Sequence, residues 1–110
     1  MRVLKAVAAV TLFAALAGCS KPLPPEKAAY AGQWNGAQVS LLITKEGRVE
    51  YKRVEGSNKT SINAPVKEFK GNDMVVGVGP MDTTFVVSQP PHQDGETWKM
   101  TVDGNELTRQ

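Results

Sequence analysis

From residue 39 onward, apolar side chains tend to fall on alternate positions. Val39, Leu41 and Ile43 are interleaved with Ser40, Leu42 and Thr44, the two-residue period of a strand with one buried face. Lys45-Glu46-Gly47-Arg48 reads as a compact turn, and residues 49–55 return as a second strand, which predicts a hairpin. Val49 and Tyr51, with the stem of Arg53, share one face of it, and Glu50 and Lys52 take the other. Residues 56–65 (GSNKTSINAP) read as a polar connection and residues 66–69 as a short strand before the turn Lys70-Gly71-Asn72-Asp73.

The second half repeats the pattern. Residues 74–78 form a β run broken by Gly79-Pro80, and residues 83–88 form another, stopped by Gln89-Pro90-Pro91. In residues 97–102, Trp98, Met100 and Val102 alternate with Lys99, Thr101 and polar neighbours. Asp103-Gly104 is a hairpin dipeptide, and residues 106–108 close the chain. No helical stripe follows Pro25, although a short helix over residues 25–31 fits the composition. The expectation is an all-β antiparallel meander of six or seven strands, curled into a small barrel or a strongly twisted sheet whose curvature protects its edges. A flatter sheet that forms a homodimer along an edge is the architectural rival. Val39, Leu41, Ile43, Val76, Phe85, Trp98 and Met100 are the expected core.

The first thirty residues carry a different pattern. Residues 1–5 (MRVLK) are basic and residues 6–16 are eleven positions without a charge, the n-region and h-region of a targeting signal. The run is far short of the ~20 residues that span a bilayer. Leu16-Ala17-Gly18-Cys19 then resembles the lipobox of bacterial lipoproteins at all four positions. The resemblance implies cleavage before Cys19, a diacylglyceryl thioether on its sulfur and an N-linked acyl chain on its new amino group. Two or more acyl chains hold a protein stably on a membrane. It also implies attachment to the lipid bilayer through Cys19. With Ser20 rather than Asp after the cysteine, it implies the periplasmic side of the outer membrane. The expected organisation is a signal peptide over 1–18, a lipidated and Pro-containing tether over 19–29, and one small β domain over 30–110.

Charge changes meaning once the signal is set apart. The chain carries 13 Lys and Arg against 11 Asp and Glu; without Arg2 and Lys5 the count is eleven to eleven, so the net +2 belongs to the signal. No arginine-rich run or basic-aromatic repeat suggests a nucleic-acid partner. Within the domain, Lys45, Arg48, Lys52, Arg53, Lys59, Lys67 and Lys70 face four acids over residues 45–70. Residues 71–110 hold two cations and six acids. The division suggests a basic patch for an envelope protein or an anionic envelope component, against the plainer reading of a solvated face.

Candidate chemistry is sparse. Cys19 is the only cysteine and His92 the only histidine, too few soft or imidazole ligands for zinc or copper, so no metal and no cofactor are expected. Ser57, Ser61, His92 and Asp94 are residue types of a hydrolase triad without its supporting context. Glu50, Glu55, Asp73, Asp82 and Asp103 occur singly. The expectation is a non-catalytic binding or structural domain. Thr60, Ser61, Ile62 and Asn63 form the preferred recognition loop, and Met81 marks a second.

Gly32-Gln33-Trp34 resembles the Gly-x-Trp motif that opens the first strand of lipocalin-like barrels, where the Trp closes one end. That resemblance implies a carrier of a small apolar ligand as an alternative function. Inhibition of a lysozyme or protease by a protruding loop is another.

Overall fold

The computed structural model describes residues 21–110. A short 3-10 helix of two turns, Pro25–Tyr30, precedes nine strands: β1 (Gly32–Asn35), β2 (Val39–Ile43), β3 (Arg48–Glu55), β4 (Asn58–Lys70), β5 (Asp73–Val78), β6 (Met81–Phe85), β7 (Val87–Asp94), β8 (Thr97–Val102) and β9 (Asn105–Arg109). All pairings are antiparallel, in the order β6-β5-β4-β3-β2-β1-β9-β8-β7. The first and last strands are therefore neighbours, joined at Trp34–Arg109 and Asn35–Thr108. The all-β antiparallel expectation holds, with nine strands in place of six or seven.

Two features bend this sheet into a strongly curled half-barrel. Residues 58–65 of β4 pair with β3, and residues 66–70 pair with β5, with a register shift between Val66 and Glu68. Such bends let one strand serve two differently oriented layers. The second corner is Val86, the one residue between β6 and β7. These two strands are opposite margins of the sheet, so curling has brought the margins to within a residue of each other.

Backbone groups at that corner still need partners. Asp103 supplies two: its Oδ1 accepts from the Val86 amide at 2.9 Å, and its own amide donates to the Val86 carbonyl at 2.8 Å. Asp73 Oδ1 accepts from the Val87 amide at 2.8 Å. Two acids that look solitary in the sequence thus hold the seam of the fold.

The concave side is filled. Trp34, Leu41, Ile43, Val49, Met74, Val76, Phe85, Met100 and Leu107 are fully buried, and Tyr51 of β3 meets Phe85 of β6 at 4.9 Å between ring centres. Of the expected core, Val39, Leu41, Ile43, Val76, Phe85 and Met100 are buried, and Trp98 packs against the cluster while half-buried. The 3-10 helix lies against the β4–β5 turn. The Tyr30 hydroxyl donates to the Asn72 carbonyl at 2.8 Å, Lys27 Nζ donates to Gly71 at 2.8 Å, and Tyr30 meets Phe69 edge-on at 5.2 Å.

Three sequence expectations change. Residues 56–65 are not a polar connection: only Gly56 and Ser57 turn, and the rest is β4. Its outer half lies beyond the core, where pairing with β3 rather than burial makes the strand, so no apolar alternation marks it. The Pro-rich stop at residues 89–91 lies inside β7, and so does His92. β7 is an edge strand, where prolines lacking N–H are tolerated, and the register shifts between Gln89 and His92. The β run expected over residues 83–88 is instead two strands parted at Val86.

Candidate functional site

The β4 and β5 strands part company after Val66–Val76. Above that pair, residues 58–64 of β4 hydrogen-bond with β3 on one edge, while among the described residues no strand pairs with the other. β5 runs on to Val78 and turns back through Gly79-Pro80 into β6, with Val78 opposite Met81. The diverging strands leave a wedge-shaped recess of about 460 Å³. Ser61, Ile62 and Ala64 line one wall, and Val78, Pro80 and Met81 line the other.

This wedge unites the two stretches singled out by sequence. Ser61, Ile62 and Met81 line it together. Thr60 and Asn63 are exposed on the same strand, and the Asn63 side-chain oxygen accepts from Arg48 Nη2 at 2.8 Å. They are strand residues and not a loop. The floor is apolar, and the rim is a row of backbone groups on a free strand edge, an arrangement that accepts an added strand. Ile62 is half-buried against the core, whereas Val78 and Met81 are 63% and 74% exposed.

The seven basic residues do not gather into one patch. Lys45 and Arg48 flank the β2–β3 turn, Lys52, Arg53 and Lys59 lie on the β3–β4 hairpin, and Lys67 and Lys70 lie beyond the bend in β4. Several are engaged. Arg53 contacts Glu55 at 2.8 Å, a hydrogen bond that raises its already high pKa. Lys67 Nζ sits 2.6 Å from Asp82 and also donates to the Gly79 carbonyl, tying the β5–β6 turn to β4. On the acidic half, Lys99 bridges Asp94 at 3.2 Å and Glu106 at 3.7 Å, and the Asp94 hydrogen bond is the first cause of its raised pKa.

At the other end, Trp34 is fully buried and its indole Nε1 donates to the Tyr30 carbonyl at 2.9 Å. The Arg109 guanidinium stacks between Trp34 at 5.3 Å and Trp98 at 4.8 Å, and its Nη1 donates to Ala29 at 3.0 Å. The space for Arg109 exists because residue 32 has no side chain. A Cβ on Gly32, whose φ is +140°, would lie 2.6 Å from Arg109 Cδ. Arg109 was not among the residues singled out. A lone cation near a chain terminus carries no pattern, and only the pairing of β1 with β9 gives it meaning.

Residues 21–23 also have a seat. The Leu23 amide donates to the Lys45 carbonyl at 3.1 Å, and the Lys21 carbonyl lies over Gly47, where any side chain would collide with it and where φ is +89°. Lys21 shares a second recess, about 400 Å³, with Pro65, Val66, Lys67 and residues 77–79. Leu16, Ala17, Gly18 and Cys19, the expected lipobox, lie outside the described residues.

Three of the acids are tied to the fold. Asp73 and Asp103 serve the Val86–Val87 corner, and Asp82 serves Lys67. His92 Nδ1 is 2.9 Å from the Pro90 carbonyl. Among the described residues, no three His, Cys, Asp or Glu side chains converge as metal ligands, and no helix is long and apolar enough to cross a membrane. No protein-family model, curated protein or solved structure matches the chain.

Proposed function

We propose that this is a lipid-anchored cell-envelope protein, fastened through acylated Cys19, whose β domain is a non-catalytic binding module for another envelope protein. Four consecutive lipobox positions after a basic start and an uncharged run support the anchor. The wedge between β4 and the β5–β6 hairpin carries the binding reading: it joins an unpaired strand edge to an apolar recess of about 460 Å³. An extended segment of the partner adds to β4 along residues 58–64 and sets one apolar side chain against Ile62 and Ala64. Main-chain hydrogen bonds supply affinity in this mode, and the recess supplies selectivity.

The small-ligand carrier calls for an opening beside Trp34, where Arg109 and Trp98 instead stack. The binding module is therefore preferred.

A photocrosslinking amino acid at Ser61 in intact cells tests this directly. The expected result is a discrete protein adduct at Ser61 that weakens with Asn63→Ala, and none from the same probe at Ser88. Adducts of equal intensity at Ser61 and Ser88, or none at Thr60, Ser61 and Asn63, would remove the binding edge.

A further inference from the structure

We infer that the β5–β6 tip, Val78-Gly79-Pro80-Met81, is a lipid-contacting element that seats the domain on the bilayer holding its anchor. The inference rests on lipidation at Cys19 and goes beyond it, because a lipid anchor on a free tether would fix no orientation.

Side-chain exposure supplies the first argument. Among the described residues Val78 and Met81 are the most exposed large apolar side chains, at 63% and 74%. They face each other across the turn, and Pro80 beside them is exposed too. Scattered apolar residues on a surface are ordinary, but a contiguous protruding group marks a contact surface. The group does not collapse onto the domain, because Lys67 holds the turn through the Gly79 carbonyl and Asp82.

The direction of the lipid supplies the second. The tether is seated by Leu23 on Lys45 and by Lys21 on Gly47. Lys21 lines the same recess as Val78 and Gly79. Cys19 is two residues before Lys21, and two extended residues reach about 7 Å. An acylated Cys19 is therefore held within that reach of Lys21, which shares its recess with Val78 and Gly79 of the tip.

Charge supplies the third. Lys21 and Lys45 are exposed beside the point where the tether leaves. Lysines so placed keep their ammonium groups among anionic headgroups while their stems lie along apolar surface. The seated arrangement puts Val78 and Met81 at the boundary between headgroups and acyl chains, as interfacial apolar side chains are. It also leaves the β4 edge beside the membrane surface, where a partner strand must approach.

The test uses the mature lipidated protein in vesicles of phosphatidylethanolamine and phosphatidylglycerol. Val78→Cys, Met81→Cys and Ser57→Cys each accept a nitroxide label. The Cys19 sulfur is consumed by its thioether and does not react. The expected result is several-fold lower accessibility to a water-soluble nickel relaxant at 78 and 81 than at 57, with higher accessibility to oxygen. Equal accessibility at all three sites overturns the tip assignment while leaving the anchor intact. Protection that vanishes when the protein is diluted tenfold in the same lipid assigns the tip to a second copy and also overturns it. Labelling of the wild-type protein at Cys19 is the separate result that overturns the anchor.

Discussion

The β3–β4 and β5–β6 hairpins solve the same geometric problem with opposite chemistry. Each turns on a glycine with φ near +60°, Gly56 in one and Gly79 in the other. The first is flanked by Glu55, Ser57 and Asn58, the second by Val78, Pro80 and Met81. Turn geometry fixes the glycine and leaves its neighbours free, so those neighbours report surroundings rather than fold. The polar tip is suited to water. The apolar tip suits the lipid contact proposed for it, and its Val78 and Gly79 share a recess with Lys21.

The sharpest way to break this contrast is to release the anchor. Cys19→Ala is expected to move most of the protein from the membrane to the soluble fraction on cell fractionation, leaving only the weak lipid contact of the apolar tip. Trp34→Ala attacks the frame that holds both hairpins. Truncating a fully buried aromatic costs about 3–5 kcal/mol, most of the stability of a domain this small. Thermal unfolding should show a fall in Tm of more than 10 °C.

Asp73→Ala acts on the corner nearer the apolar hairpin. It strips the Val87 amide of its acceptor, and an unsatisfied amide of this kind costs about 1–3 kcal/mol. Hydrogen exchange should rise at Val87 and along β6 before it rises in the β3–β4 hairpin; uniform acceleration would contradict the corner's local role.

Tyr30 offers a pH handle on the same side. Burial first, and then Asp73, raise its pKa above the ordinary value. The phenol stays protonated in the folded protein while the unfolded chain ionises from about pH 10. That stability is complete below about pH 10 and is lost as pH climbs toward the folded pKa. Tyr30→Phe should flatten this alkaline loss, at a cost of about 1 kcal/mol at neutral pH for the Asn72 hydrogen bond. Urea unfolding at pH 7 and at pH 10.5 separates the two effects.

The smallest effect on stability is the most informative. Val78→Ser with Met81→Ser should change unfolding by no more than about 0.5 kcal/mol, because both side chains are exposed. The lipid-free domain should nonetheless float several-fold less with anionic vesicles. Equal flotation of wild type and variant would put the two hairpins on the same footing.

The comparison also explains what was legible in the sequence. Alternation marks a strand when one face is buried, so β2, β3 and β8 stand out from Val39–Leu41–Ile43, Val49–Tyr51 and Met100–Val102. It does not mark the outer half of β4, where Thr60, Ser61 and Asn63 are exposed and the partner strand does the organising. Nor does it mark β7 with its prolines or the four-residue β1, and so the expected count fell short of nine. Ser61, Ile62 and Met81 drew notice as residues, but a wedge between diverging strands is tertiary information. The same is true of Arg109 between two tryptophans, and of Asp73 and Asp103 at the seam.

The seat of Lys21 on Gly47 has a mechanical consequence. With Cys19 anchored as proposed, a tug from a moving membrane would first meet the β2–β3 turn through the Lys21–Gly47 packing and the Leu23–Lys45 bond. That turn is braced in turn by the Val66 amide, which donates to the Gly47 carbonyl at 2.7 Å. Tension thus enters the sheet at an interior hairpin, shared between β2, β3 and β4, before it reaches the short first strand. A domain anchored in this way would be moored amidships, and drag would turn it as a body instead of peeling it from its end.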